Sequence, residues 1–220
     1  MNGPHVDVHG LVKPLLRGRL HVGAFAVAIP ATVLLVLVAN GLRATVAAAV
    51  YGATLVALFG VSGAYHRLGR TIRSQKWLRR ADHATIYLLI AGSYTPVSIV
   101  AVGGRLGWGL AAAVWVAAAL GGALKLVWFD RTQVVGAVLY IAIGWFAVLA
   151  IPVLVRTVEP WILGLIVAGG LTYTVGAMVL AKRRPDPLPR IFGYHEVWHT
   201  LTIVAAALHY AAMVGIVREG

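Results

Sequence analysis

The chain has 220 residues, 60% of them hydrophobic and 12% charged, and its mean hydropathy is +0.84. These values exclude an ordinary soluble domain and indicate an integral membrane protein. The net charge of +12 does not indicate nucleic-acid binding, because the basic residues flank apolar segments, where anionic lipid headgroups attract them.

Seven apolar segments in succession predict an all-α bundle of seven transmembrane helices. Each has about 20 residues, enough for a helix to cross about 30 Å of hydrocarbon. They lie at 20–39, 44–64, 84–102, 108–128, 134–155, 161–181 and 192–217. No linker divides them, so we expect residues 1–220 to form a single membrane domain with a short N-terminal arm at 1–19. The first segment lacks a signal-peptide cleavage site and is predicted to be retained.

The basic residues predict the orientation of the bundle. Fifteen of the 19 lysine and arginine residues lie in the arm and in the connections after segments two, four and six. The other connections and the C-terminus hold four. The positive-inside rule therefore places the N-terminus in the cytosol and the C-terminus outside.

This topology brings polar residues from distant parts of the sequence to one depth. Ser62 and His66 lie four apart at the cytosolic end of segment two, and Asp82 lies at the cytosolic start of segment three. His195 and His199 lie four apart at the cytosolic start of segment seven, on one face of a helix. Ionisable groups inside a membrane are costly and indicate a functional site.

Two histidines at this spacing can chelate one metal ion, and His66 supplies a third nitrogen if segments two, three and seven are neighbours. Three protein nitrogens and one open position are typical of catalytic Zn²⁺. The absence of cysteine excludes thiolate ligands, and Ca²⁺ or Mg²⁺ would require more oxygen ligands. The sequence predicts a zinc site with a carboxylate beside it.

Each of these residues also has a structural interpretation. Asp82 could cap the N-terminus of a helix, and Ser62 could bond to a carbonyl one turn earlier. His66 could be an interfacial histidine, and His195 with His199 could be a structural pair without metal. The remaining histidines carry no spacing signal or lie too far along the chain, and are not assigned to the site: His5, His9, His21, His83 and His209.

Residues 195–199 also match the H-E-x-x-H pattern of zinc proteases, in which the glutamate is the general base. The extended form of that pattern needs a third histidine at position 205, which is Ala205. Intramembrane metalloproteases use a distant Asp-Gly instead, and no aspartate here precedes glycine. The protease interpretation lacks its third ligand, although Glu196 remains an alternative base.

Five stretches of the chain together resemble the hemolysin III family, which is related to the progestin and adipoQ receptors and the alkaline ceramidases. They are KPLLRG at 13–18, SGAYH at 62–66, DHATIY at 82–87, AGSYTP at 91–96 and FGYHEVWH at 192–199. The resemblance implies seven helices with an internal N-terminus. It also implies zinc on His66, His195 and His199, with Asp82 holding or activating a water molecule and Ser62 beside it.

The leading hypothesis is a zinc-dependent hydrolase of lipid amides or esters, of the ceramidase type, in the inner cell membrane. Its partners would be a metal ion and membrane lipids, one of them the substrate, and no nucleic acid. The small residues Gly121, Gly122, Gly169 and Gly170 also permit a homo-oligomer. The competing hypothesis is a zinc-stabilised sensor, regulator or pore-like cytolytic protein that is not an enzyme.

Overall fold

The computed structural model describes residues 14–219, apart from the side chains of Gln133, Val134 and Ala137. His5, His9 and Lys13 of the predicted arm lie outside the described residues. Residues 14–219 are almost entirely helical and contain no strand, only an isolated bridge between Leu188 and Phe192.

Eight α-helices follow one another within the described range. They are α1 (Arg19–Leu37), α2 (Gly41–Leu68), α3 (Ile72–Pro96), α4 (Gly104–Val127), α5 (Gln133–Trp145), α6 (Ile151–Thr157), α7 (Pro160–Lys182) and α8 (Tyr194–Glu219). A π-helical stretch, Val97–Val102, continues α3, and 3-10 turns lie at Phe129–Arg131 and Phe146–Ala150.

Seven segments of the described chain are long and apolar enough to cross a membrane, as the sequence predicted. The fifth, Val138–Thr157, combines the end of α5, a 3-10 turn and α6. Large apolar side chains such as Leu37 and Leu42 are 76% and 81% exposed on the outer surface, where lipid would cover them. The protein is a multi-pass membrane protein.

The third segment begins earlier than the hydropathy pattern predicted. α3 begins at Ile72, where the Thr71 hydroxyl accepts the Ser74 backbone N–H and the Ser74 hydroxyl accepts the Thr71 N–H. With the π-helical stretch it has 31 residues and a length of about 46 Å, more than the hydrocarbon core requires. The basic connection after segment two is therefore mostly helix, because arginine and lysine favour helices and this capping box starts one.

The packing of α8 determines where its histidines lie. α8 packs along α7 and also contacts α1, α2 and α3, while α2 lies between α1 and α3. Tyr51 of α2 donates to the Ala206 carbonyl of α8, and Tyr210 of α8 donates to the Ala31 carbonyl of α1. Segments two, three and seven are neighbours, as the predicted site required.

Candidate metal centre

Three histidines from two distant parts of the sequence come together at one end of the bundle. His66 lies in the last turn of α2, and His195 and His199 lie in the first turns of α8. One ligand atom from each lies within 4.8 Å of the others. His66 Nε2 is 3.3 Å from His195 Nε2 and 3.2 Å from His199 Nε2. The cluster predicted from spacing and topology is present and could hold a metal ion.

The spacing of these nitrogens fits a shared metal ion. Two nitrogens at about 2.0–2.1 Å from a tetrahedral zinc ion lie about 3.3–3.4 Å apart. A neutral imidazole nitrogen carries either one proton or one lone pair, so His66 Nε2 cannot form a good hydrogen bond with both neighbours at once. A metal ion would satisfy all three lone pairs. His199 is buried, whereas His66 and His195 are half-buried.

The segment before α1 packs directly on this cluster. Gly18 has a φ of +75°, and a Cβ there would overlap the Cβ of His66. Leu15 and Leu16 donate their backbone N–H groups to the carbonyls of Arg190 and Ile191, just before α8. The N-terminal segment therefore contacts both helices of the cluster. It packs on His66 of α2 and is hydrogen-bonded to the residues just before α8.

Glu196 faces this N-terminal segment. Arg17 Nε donates to Glu196 Oε1 at 2.5 Å, and the backbone N–H of Gly193 donates to Glu196 Oε2 at 3.0 Å. Glu196 is fully buried, so both carboxylate oxygens are engaged away from solvent. The glutamate of the H-E-x-x-H pattern therefore has a structural role at the start of α8.

Asp82 is not a helix cap. It lies inside α3, ten residues after Ile72, and is buried. The cap interpretation was wrong, because hydropathy underestimated how far α3 extends into the basic region. The Asp82 carboxylate does not belong to the group of ligand atoms within 4.8 Å of one another, so among the described residues this group consists of three histidine nitrogens.

Ser62 is buried in α2, one turn before His66. Its hydroxyl has no hydrogen-bond partner among the described residues that meets ordinary geometry, and it lies near enough to interact with the Asp82 carboxyl. The alternative of a bond back to the carbonyl one turn earlier is therefore wrong. The Ser62 hydroxyl instead lies beside the Asp82 carboxyl, as the sequence predicted for these two residues.

The structure adds one histidine that the sequence did not assign. His21, in the first turn of α1, places Nε2 2.8 Å from His199 Nδ1. One signal could have found it: segment one begins on the same side of the membrane as the other site residues, so His21 lies at their depth.

His83 and His209 do not belong to the group of three ligand atoms, as predicted. His83 Nδ1 is 3.0 Å from the Arg79 carbonyl, and its ring packs edge-on against Phe129. His209 Nε2 is 3.1 Å from the Ile166 carbonyl, in the contact between α8 and α7.

Comparisons with known proteins agree with this arrangement. The sequence profile described as Haemolysin-III related matches residues 9–210. The chain is 33% identical to "Hemolysin-3" of Bacillus cereus over 186 residues, which cover 83% of this chain and 81% of that protein. It is 27% identical to the "Hemolysin-3 homolog" of Bacillus subtilis over 182 residues, covering 81% and 82% of the two chains.

A human relative extends the similarity beyond bacteria. The "Monocyte to macrophage differentiation factor" of Homo sapiens is 28% identical over 170 residues, covering 74% of this chain and 67% of that protein. These matches confirm the resemblance carried by the five sequence motifs, and the chain belongs to the haemolysin-III related family.

Proposed function

We propose that this protein is a zinc-dependent hydrolase of lipid amide or ester bonds in the inner cell membrane. The observation that carries the proposal is the convergence of three imidazoles, with His66 Nε2 within 3.3 Å of two other Nε2 atoms. Nitrogen-only ligands on a chain without cysteine favour Zn²⁺. When bound, zinc would polarise a carbonyl and make a water molecule more acidic.

The ligands would be His66, His195 and His199, with an open position for water or a substrate oxygen. An open fourth position distinguishes catalytic from structural zinc sites. Asp82 lies outside the ligand group and supplies a buried carboxylate from a different helix. It would accept the proton of the attacking water as general base. The Ser62 hydroxyl would orient that water or stabilise the oxyanion.

Glu196 is the weaker candidate for the base. Its carboxylate already accepts hydrogen bonds from Arg17 and from the Gly193 backbone. A general base needs a free lone pair within reach of the proton that it removes. This difference supports the assignment of the base to Asp82.

An apolar groove between α1 and α2 supports a lipid as substrate. Its volume is about 340 Å³, and it is lined by Val22, Phe25, Phe59, Gly60, Gly63, Ala64, Arg67 and Leu68. The lining positions of α2 are three consecutive pairs that recur every four residues, so they form one helix face, next to that of His66. An acyl chain in this groove would lie beside the histidines, with the Arg67 cation at headgroup depth.

The site is proposed to lie at the cytosolic face. The ends of α2, α3 and α8 that carry the site residues also carry the excess of lysine and arginine. The positive-inside rule assigns that side to the cytosol.

One observation favours the second candidate, a metal clamp in a sensor, regulator or pore-like protein. The ligands come from only two helices, α2 and α8, which a bound ion would hold together without any chemistry. The position of Asp82 outside the ligand group favours the hydrolase. A structural zinc site has four protein ligands, and this group has three.

Lipid hydrolysis by the purified protein decides between the two candidates. The full chain in detergent would be incubated with ceramide and with ester lipids, and released fatty acid would be measured. We expect release that stops on zinc chelation, returns on zinc addition, and is lost in His195→Ala but not in His209→Leu. A protein that binds zinc and releases no fatty acid from either class would favour the clamp.

A further inference from the structure

We infer that His21 is a positioning residue for the metal site, accepting the Nδ1–H of His199 and so leaving His199 Nε2 free to bind metal. This inference rests on the metal site of the proposed function. The separation of 2.8 Å between His199 Nδ1 and His21 Nε2 is that of a hydrogen bond. Both side chains are buried, at 2% and 3% exposure, so water does not compete for the bond.

A hydrogen bond between two neutral imidazoles has two possible directions. One ring must donate an N–H and the other must accept it with a lone pair. If His21 donates, His199 accepts at Nδ1 and carries its proton on Nε2, the atom that faces His66. If His199 donates, its Nε2 carries the lone pair. Only the second direction is compatible with a metal ion at the cluster.

This bond has the form that metal-binding histidines ordinarily need. The nitrogen that does not bind the metal usually donates to an acceptor, which fixes both the tautomer and the plane of the ring. For His199 Nδ1, His21 Nε2 is that acceptor. The two rings meet nearly at right angles, with centroids 3.8 Å apart and an interplanar angle of 76°.

The other nitrogen of His21 makes a histidine unfavourable as a residue that only fills space. When Nε2 accepts, Nδ1 carries the proton, and Nδ1 has no hydrogen-bond partner among the described residues. A buried N–H without a partner is unfavourable. A leucine of similar size would fill the space beside Phe59 without that penalty, whereas only a polar side chain can bond to His199 Nδ1.

The N-terminal segment holds His21 in register with the cluster. Gly18 packs on His66, and Arg17 pairs with Glu196 of the same helix that carries His199. α1 begins at Arg19, directly after these contacts, so its first turn is placed relative to α8. The contacts of the N-terminal segment with the histidine cluster therefore also fix the position of His21.

Zinc affinity of the full-length protein tests this role without reference to activity. Four proteins would be purified in detergent: wild type, His21→Leu, His21→Gln and His209→Leu. The zinc affinity of each would be measured by competition with a chromophoric chelator. Loss of a group that orients a ligand lowers metal affinity by about 10–100-fold, which is the result expected for His21→Leu. Glutamine offers an acceptor oxygen and should restore most of the affinity. Thermal unfolding of the zinc-free proteins would be measured in parallel.

His209→Leu is the control, because it also removes a histidine, here a half-buried one, that makes one hydrogen bond, to the Ile166 carbonyl. It should lower the unfolding temperature and leave zinc affinity unchanged. Equal affinity in wild type and His21→Leu would overturn the inference. So would equal losses in His21→Leu and His21→Gln, or in His21→Leu and His209→Leu. A wild type that binds no zinc would instead refute the proposed metal site.

Discussion

Arg17 and Glu196 form an ion pair across 179 positions of sequence, with Arg17 Nε 2.5 Å from the buried Glu196 Oε1. The pair joins the segment before α1 to the first turn of α8, beside the three histidines. It also gives the glutamate of the H-E-x-x-H pattern a partner other than a reacting water molecule. The base of the proposed reaction is therefore expected on another helix.

Exchanging each carboxylate for its amide separates the two candidate bases. Asp82→Asn should lower lipid hydrolysis by about 10²–10⁴-fold, because it removes the proton acceptor and preserves shape. Glu196→Gln should retain most of the hydrolysis but unfold at a lower temperature, since Arg17 loses its charged partner. Rates and unfolding temperatures of the two variants would be measured together. An inactive Glu196→Gln beside an active Asp82→Asn would show that the mechanism assigned to Asp82 is wrong.

The ion pair should stabilise the protein by an amount that a double-mutant cycle can measure. Arg17→Met, Glu196→Gln and the double variant would be unfolded by denaturant in detergent. A hydrogen bond to a charged group contributes about 1.5–3 kcal/mol, so a coupling free energy of that size is expected. Additive effects of the two single substitutions would show that the contact contributes no net stability.

Gly18 should tolerate no side chain. Its φ of +75° is unfavourable for other residues by about 1–2 kcal/mol, and a Cβ there would overlap His66. Gly18→Ala should lower both the unfolding temperature and zinc affinity. Gly23→Ala is the control, because no atom lies within 4 Å of a Cβ built at Gly23. If Gly18→Ala and Gly23→Ala have the same unfolding temperature and the same zinc affinity, the close contact between Gly18 and His66 does not affect the site.

Single cysteines can test the orientation, because the chain contains none. Lys76 and Arg105 are exposed at opposite predicted sides of the membrane. In intact cells, an impermeant maleimide should label Arg105→Cys and spare Lys76→Cys until the membrane is permeabilised. The reverse pattern would place the histidine cluster outside the cell. Ser74 is a poorer labelling position because its hydroxyl closes the capping box with Thr71.

The sequence was sufficient to predict the seven spans and the meeting of His66 with His195 and His199. Length and apolar composition identify spans, and the four-residue spacing identifies a shared face. The start of α3 was mispredicted because hydropathy follows the hydrocarbon core, whereas this helix continues into the basic interfacial region. The N-cap alternative for Asp82 arose from that single error.

The contacts around the histidines could not be predicted from local patterns. His21 has no histidine at helical spacing, and its partner His199 lies 178 positions away. The partner of Glu196 depends equally on how α1 meets α8. Such contacts are set by the tertiary packing of helices, which periodicity within one helix does not encode.

Metal content of the purified protein tests the central claim most directly. The full chain, expressed with added zinc and purified without chelator, would be analysed by mass spectrometry of the elements beside His195→Ala and His209→Leu. A catalytic zinc site predicts about one zinc ion per chain in wild type and in His209→Leu, and little in His195→Ala. Wild-type protein free of metal, or equal zinc in wild type and His195→Ala, would contradict a metal centre formed by His66, His195 and His199.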